Sequence, residues 1–211
     1  PANVQEIVDF ALYGWSLSRF AGCWVGFKLI PDTVDAAAPI DANPLRPAIV
    51  QPNDVAMPPD GLNIRFPDSW KDQEPRSHIY KLPATVGFAR ANSINRVTHQ
   101  SPNPRYGIIA AGKAWTDTKQ ALSELGLDGD AGADTGITVL KIGMPWPADE
   151  ALLREFAEGL EEVFVVEEKH SLLEMQLKKA LYDTSDAKRP RIIAQHDETG
   201  ARILPIFPEY T

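Results

Sequence analysis

The sequence has a single cysteine, Cys23, in 211 residues. A disulfide needs two thiols, a structural zinc site usually needs several, and an iron–sulfur cluster typically takes about four. The chain therefore has neither a cluster nor an internal disulfide of its own. Positive charge is also short, with 21 Lys and Arg against 29 Asp and Glu for a net of −8. That balance repels phosphate backbones rather than releasing their counterions, which excludes nucleic acid as a partner. No apolar run approaches the roughly 20 residues that cross a bilayer, and no charged leader precedes an apolar stretch. Neither a membrane span nor a signal peptide is expected, and the expected location is cytoplasmic. An initial Met is missing too: the chain opens at Pro1 and enters a helix pattern within three residues, as an excerpt or a processed product would.

What is present is ordinary globular material, 44% hydrophobic. Val4, Ile7, Val8, Ala11, Leu12 and Trp15 recur at helical spacing, with Asn3 and Glu6 placed as N-cap and capping-box partner and Gly22 as the stop. The run Trp24-Val25-Gly26-Phe27-Lys28-Leu29-Ile30 reads as a mostly buried strand ended by Pro31. Seven prolines between Pro31 and Pro59, with hardly any periodicity, predict an extended strap pinned by fixed φ angles. Residues 78 to 95 carry a weak apolar stripe and predict a helix with Pro83 in its first turn.

After Pro104 the pattern becomes regular. Strands are expected at 107–111, 137–142, 163–166 and 191–194, and helices at 116–125, 149–160 and 172–181. Short apolar strands alternating with helices predict an α/β domain, a three-layer parallel sheet covered on both faces.

Ligands of such a sheet gather beyond the carboxyl ends of its strands. That singles out Gly112 and Lys113, the Gly143-Met144-Pro145 turn, and Glu167, Glu168, Lys169 and His170 as candidate ligand or interface residues. Gly112-Lys113 lacks the earlier glycine and the following hydroxyl of a phosphate-cradling loop, so a tight strand-to-helix turn is the plainer reading, with Lys113 open to an anion. Successive side chains at a strand end diverge, so Glu167 and Glu168 do not form one acid–base pair; either could meet Lys169 or a basic partner. The four histidines include no pair spaced i, i+4 for metal binding. Cys23, at the start of an apolar strand, reads as a buried inert thiol. Asp128-Gly129-Asp130 lacks the glutamate a calcium loop would carry where Val139 stands, and reads as a solvent loop. Residues 145 to 170 hold eight acids against Arg154 and Lys169, either a solvated helix face or a docking face for a basic surface.

Five strings then carry a resemblance: Gly61-Leu62-Asn63-Ile64-Arg65-Phe66-Pro67-Asp68, Phe88-Ala89-Arg90-Ala91-Asn92, Gly107-Ile108-Ile109-Ala110-Ala111-Gly112-Lys113-Ala114, Lys141-Ile142-Gly143-Met144-Pro145-Trp146-Pro147 and Val165-Val166-Glu167-Glu168-Lys169. In this order and spacing, across nearly the whole chain, they resemble the middle of the large fused form of indolepyruvate ferredoxin oxidoreductases, within the 2-oxoacid:ferredoxin oxidoreductase superfamily. The resemblance implies that residues 1–50 are the tail of a thiamine pyrimidine-binding-like domain, 51–104 a linker or strap with one helix, and 105–211 a domain resembling the transketolase C-terminal domain. It implies a parent enzyme that oxidatively decarboxylates arylpyruvates to acyl-CoA with thiamine diphosphate, Mg, 4Fe-4S clusters and CoA, and that passes electrons to ferredoxin. This sequence departs from that inventory. It has no Gly-Asp-Gly diphosphate motif, no cluster cysteines and no activating glutamate, so no catalytic residue and no cofactor site carries over to it. The implied role is a structural and interface segment of a homo-oligomeric oxidoreductase, with the remaining domains of that enzyme as partners. A free-standing small-ligand or nucleotide-binding α/β domain, and a regulatory docking protein using the acidic stretch, are the alternatives.

Overall fold

A computed structural model describes residues 1–43, 45–63, 65–128, 132–185 and 188–205. The chain divides into two compact units, one made of Pro1 and residues 3–94, the other of Ala2 and residues 95–211.

In the first unit, helix α1 (Val4–Ala21) begins as the capping pattern predicts, with the Asn3 side chain accepting from the Glu6 amide at 2.9 Å. It ends at Gly22, whose φ of 63° is left-handed and whose N–H reaches the Ser18 carbonyl at 3.0 Å. A Cβ at that position would stand 2.2 Å from the Leu62 carbonyl oxygen, so both the turn and the close approach require glycine. After α2 (Pro31–Val34), a long irregular arm leads to α3 (Trp70–Arg76), a π-helical turn (Ser77–Lys81) and α4 (Leu82–Ala91). The arm is tied down by side chains. Asn92 accepts from the Val50 amide at 2.7 Å and donates to the Val50 carbonyl at 2.8 Å, and Arg46 meets Asp9 at 3.0 Å.

The helix expected from residue 78 thus starts at Trp70, where Ser69 accepts from the Asp72 amide. Pro83 is not in a free first turn but inside a continuous helical stretch. Having no N–H and crowding the carbonyl four residues back, it is accommodated where Leu82 N–H bonds to Ser77, five residues back. The small core of this unit is Leu17, Ala21, Leu62, Ala84, Phe88 and Ala89, with the Phe20 and Phe88 rings 5.8 Å apart.

The expected strand at Trp24–Ile30 does not form. The run belongs to no helix or strand, residues 24–29 are exposed, Trp24 fully so, and among the described residues no backbone N–H or carbonyl of residues 24–29 has a hydrogen-bond partner. β propensity alone makes no ladder without a neighbouring strand. Helix α1 is turned in the same unexpected way. Glu6, Asp9, Leu17 and Ala21 are its buried positions, while Val8, Ala11, Leu12 and Trp15 of the predicted stripe face outward.

The second unit is an α/β domain around a five-stranded sheet: β1 (Arg96–His99), β2 (Tyr106–Ala111), α5 (Gly112–Glu124), β3 (Ile137–Ile142), α6 (Glu150–Ala157), β4 (Glu162–Val166), α7 (Leu172–Leu181) and β5 (Arg191–Ile193). The sheet order is β1-β3-β2-β4-β5. β2 to β5 are parallel as expected, but β1, which has no counterpart among the predicted strands, pairs antiparallel with β3. The sheet is therefore mixed rather than fully parallel, since β1 returns from the first unit at an edge and needs no crossover. Ile109, Leu140, Ile142, Val163 and Val165 pack on Leu153, Phe156, Leu173 and Leu177 of α6 and α7 in one core. Gly107 admits this packing, because a Cβ there would lie 2.7 Å from Leu160 Cδ1. On the opposite face α5 lays a half-buried Trp115 over the buried Lys141, whose ammonium sits 3.6 Å from the ring centroid in a cation–π contact.

Candidate functional site

The parallel register aligns the carboxyl ends of the strands: Ala111 lies beside Ile142, and Ala110 beside Val166. The chain leaves β2 through α5 toward β3, then crosses back over β2 through α6 to reach β4. The direction of winding reverses between β2 and β4, and such a switch point is where open α/β sheets hold ligands. The structure brings Gly112-Lys113 and Glu167-Glu168-Lys169, predicted separately, to this one edge, with the Gly143-Met144-Pro145 turn next to them.

Each of these groups is occupied by the fold itself. Gly112 makes the strand-to-helix turn at a φ of 53°, and α5 begins there rather than at residue 116. Lys113 is drawn along the helix to Asp117, one turn on, at 2.9 and 3.1 Å. Glu167 is buried, and its Oε2 accepts from the Leu173 amide at 2.6 Å. Ser171, in the N-cap position of α7, makes no side-chain cap, so the glutamate four residues earlier performs that task and sets negative charge at the helix N-terminus. Burial pushes the Glu167 carboxyl above its ordinary range, opposed by the amides of Leu173 and Glu174. Between them, Glu168 is half-buried, Lys169 is exposed at a φ of 67°, and the His170 amide donates to the Glu168 carbonyl at 2.7 Å. The segment is a tight bend feeding α7.

Two residues that sequence reasoning left out hold this edge. Asn95 Oδ1 accepts from both the Gly143 and Met144 amides at 2.9 Å. Gln176 accepts from the Ala148 amide at 2.9 Å and donates to the Pro145 carbonyl at 2.8 Å. Together they lock the Gly143–Ala148 turn and leave Trp146 61% exposed at its tip. Lys141, two residues before the turn, is the buried cation under Trp115. Carboxamides make no pattern in a sequence, and these contacts span 48 and 49 residues for Asn95 and 28 and 31 for Gln176. Topology alone reveals them.

The space at this edge is small. A crevice among Asn95, Ile142, Met144, Leu152 and Leu173 offers about 10 Å³, room for roughly one water. A broad depression of about 750 Å³ lies elsewhere, lined by Glu150, Arg154, Lys178, Lys179 and Tyr182. Its charges pair with one another or with neighbours: Lys179 meets Glu150 at 2.7 Å, Arg154 meets Glu150 at 3.6 Å, and Lys178 meets Glu174.

The acidic stretch from Pro145 to His170 is largely engaged as well. Asp149 caps α6 through the Leu152 amide, Glu161 holds Arg105 in a two-point contact at 2.7 and 2.9 Å, and Glu162 meets Arg191. Hydrogen bonding to Arg105 holds the Glu161 carboxyl below its usual range. Cys23 is half-buried rather than buried, and burial pushes its thiol up while Lys81 pulls it down. Of the Asp128-Gly129-Asp130 loop, Gly129 and Asp130 lie outside the described residues.

Among the described residues, no group of three or more His, Cys, Asp or Glu side chains is arranged to hold a metal ion. No helix among them is long and apolar enough to cross a membrane.

The indolepyruvate oxidoreductase subunit IorA of Methanothermobacter marburgensis is 35% identical over 183 residues, 84% of this chain and 27% of the relative. The corresponding subunit of Pyrococcus abyssi is 28% identical over 189 residues, 87% of this chain and 27% of the relative. The chain thus spans about a quarter of the length of these relatives. Among solved structures, the 2-oxoglutarate:ferredoxin oxidoreductase of Magnetococcus marinus, with 2-oxoglutarate, coenzyme A and succinyl-CoA bound, aligns with 64% of this chain and 22% of its own, at 17% identity and a TM-score of 0.40. The family model described as the indolepyruvate oxidoreductase domain matches residues 96–209, from the first strand of the sheet to beyond the last and more than half of the sequence, so the chain belongs to the indolepyruvate oxidoreductase family.

Proposed function

We infer that this chain is a structural and interface segment of an indolepyruvate-type 2-oxoacid:ferredoxin oxidoreductase. Its full-length parent oxidatively decarboxylates arylpyruvates to acyl-CoA and delivers electrons to ferredoxin. The observation that carries this reading is the use of the carboxyl edge. Where an open α/β sheet would hold a ligand, Glu167 caps a helix, Lys113 is neutralised by Asp117, and Asn95 and Gln176 lock a turn. An edge built for rigidity that presents an exposed Trp146 has the form of a binding surface, where a preorganised aromatic anchor contributes most.

On this reading residues 1–50 are the tail of a thiamine pyrimidine-binding-like domain, 51–104 a strap, and 105–211 a transketolase C-terminal-like domain. The remaining domains of a homo-oligomeric enzyme are the partners. The residues present do not fit the parent's cofactors. One half-buried cysteine cannot ligate a 4Fe-4S cluster, and Glu167, the buried acid of the carboxyl edge, is committed to the α7 amides rather than to Mg or a diphosphate. No chemical step is therefore assigned to this chain. The alternative of a free-standing nucleotide-binding domain loses support where Lys113 is already paired and the crevice holds about 10 Å³.

The test is Trp146→Ala in the intact oxidoreductase. Association with the remaining domains should weaken by about tenfold or more, while the melting temperature of the 211-residue chain stays unchanged. Loss of indolepyruvate-dependent ferredoxin reduction with assembly intact would instead make this edge part of the catalytic machinery.

A further inference from the structure

The irregular arm that leads into α3 ends in an aromatic tip. Phe66 is fully exposed, and Trp70, the first residue of α3, is 70% exposed with the Lys71 ammonium 5.5 Å from its ring. Loop tips usually carry small polar residues, although one scattered apolar side chain on a surface needs no explanation. Two large aromatics within five residues do, because of how the fold holds them.

Side chains brace this short segment from both ends. Arg65 bridges Asp60 and Asp68, the latter at 3.5 Å. Arg76 donates to Asp60 at 3.1 Å and to the Gly61 carbonyl at 2.6 Å, and Gln73 donates to the Asp68 carbonyl at 3.2 Å. The Asp68 amide donates to the Arg65 carbonyl at 3.0 Å, which closes a turn with Phe66 at its corner. Leu62, just upstream, is buried in the small core of the unit. The Asp68 and Arg76 side chains are mostly buried, so these ties are less screened than ordinary surface ion pairs. The charges of the loop are thus satisfied by one another, and its tip is left apolar. A preorganised aromatic pair of this kind has the form of an anchor that loses little freedom when it is buried.

A projecting apolar tip needs a concave apolar site. Two hollows of this chain do not match it: the depression beside α6 and α7 is lined by Glu150, Arg154, Lys178 and Lys179, and the crevice at the carboxyl edge offers about 10 Å³. A second copy would bring the same two hollows. The chain also spans only 27% of each IorA relative, so most of the polypeptide of such a relative lies outside it.

We propose that loop 66–70 is a docking anchor, inserting Phe66 and Trp70 into an apolar pocket formed by the remaining polypeptide of the oxidoreductase. Arg65 and Arg76 are its positioning residues, holding the loop through Asp60, Asp68 and the Gly61 carbonyl. The anchor adds a contact in the first unit to the one argued above for Trp146, and it rests on that interface reading.

Hydroxyl-radical footprinting read by mass spectrometry tests it, on the 211-residue chain and on the intact oxidoreductase. Both side chains should label freely in the chain alone at every protein concentration. In the intact enzyme their labelling should fall by about tenfold or more, as for anchors in desolvated pockets. Phe66→Asp should restore Trp70 labelling in the intact enzyme and Phe66→Leu should not, while neither changes the melting temperature of the 211-residue chain. Free labelling in an intact enzyme that still oxidises indolepyruvate would overturn the anchor and leave the functional reading in place. Protection in an intact protein without 2-oxoacid oxidation would support the anchor and sink that reading. Trp70 that stays protected in the Phe66→Asp enzyme would overturn the proposal. Protection that rises with the concentration of the chain alone would overturn it too, by making a second copy the occupant.

Discussion

The two halves of this chain make opposite use of their apolar residues. In residues 95–211 the apolar positions of β2, β3 and β4 close against α6 and α7, and Leu177 is wholly buried. In residues 3–94 a helix with an equally clear apolar stripe turns Leu12 outward, 44% exposed, and buries Glu6 and Asp9 instead. Periodicity predicts both helices equally well, because it reports that a stripe exists and not where its partner lies. The sheet half satisfies its own pattern. The helical half leaves its pattern open to solvent.

Replacing one leucine in each half puts the contrast to its hardest test. Leu177→Ala removes a side chain from the centre of a closed core and should cost about 3 kcal/mol. Leu12→Ala removes a comparable side chain from an open surface and should change the stability of the same chain by no more than about 0.5 kcal/mol. Urea denaturation of the two variants beside the parent chain measures both. Equal costs would mean that the α1 stripe is already buried in the isolated chain, and the contrast would collapse.

Within the sheet half, the locked turn after β3 sets a smaller effect. Asn95→Ala takes the acceptor from two amides, those of Gly143 and Met144, and should destabilise by about 2 kcal/mol. Asn95→Asp keeps an oxygen in the same place and should recover most of the loss. Thermal melts of the pair distinguish a hydrogen-bond role from simple loss of packing, since a packing role would give no recovery.

Much of the sheet half is legible in the sequence. The strand at Ile137–Ile142 and the helix at Leu172–Leu181 lie where their periodicity puts them, because each buries its pattern locally. β1 is not legible: Arg96-Val97-Thr98-His99 is a short, mostly exposed edge whose strand character comes from pairing with β3. At Trp24–Ile30 the reverse holds, a strand-forming sequence without a ladder. The edge candidates were findable because strand ends mark them, but their roles were not. Glu167 serves a helix N-terminus six residues on, and Lys113 serves Asp117 rather than an anion.

The mildest effect is a pH dependence carried by Glu167. Burial raises its folded-state pKa above the ordinary 4.5, against the pull of the α7 amides. The folded chain thus binds this proton more tightly than the unfolded chain. The group's favourable contribution is complete below pH 4.5 and is lost as pH rises through the raised folded value. Glu150, held down first by its hydrogen bond to Lys179, and Glu161, held down first by Arg105, act the other way: their contributions are present above 4.5 and fade as pH falls. Glu167→Gln removes only the first of these opposing trends. Relative to the parent chain, the variant's melting temperature should climb as pH rises from 4.5 through the raised folded value and level off above it. A difference that stays constant with pH would show that the Glu167 carboxyl titrates alike in the folded and unfolded chains, and the helix cap would then hold its charge at no cost from burial.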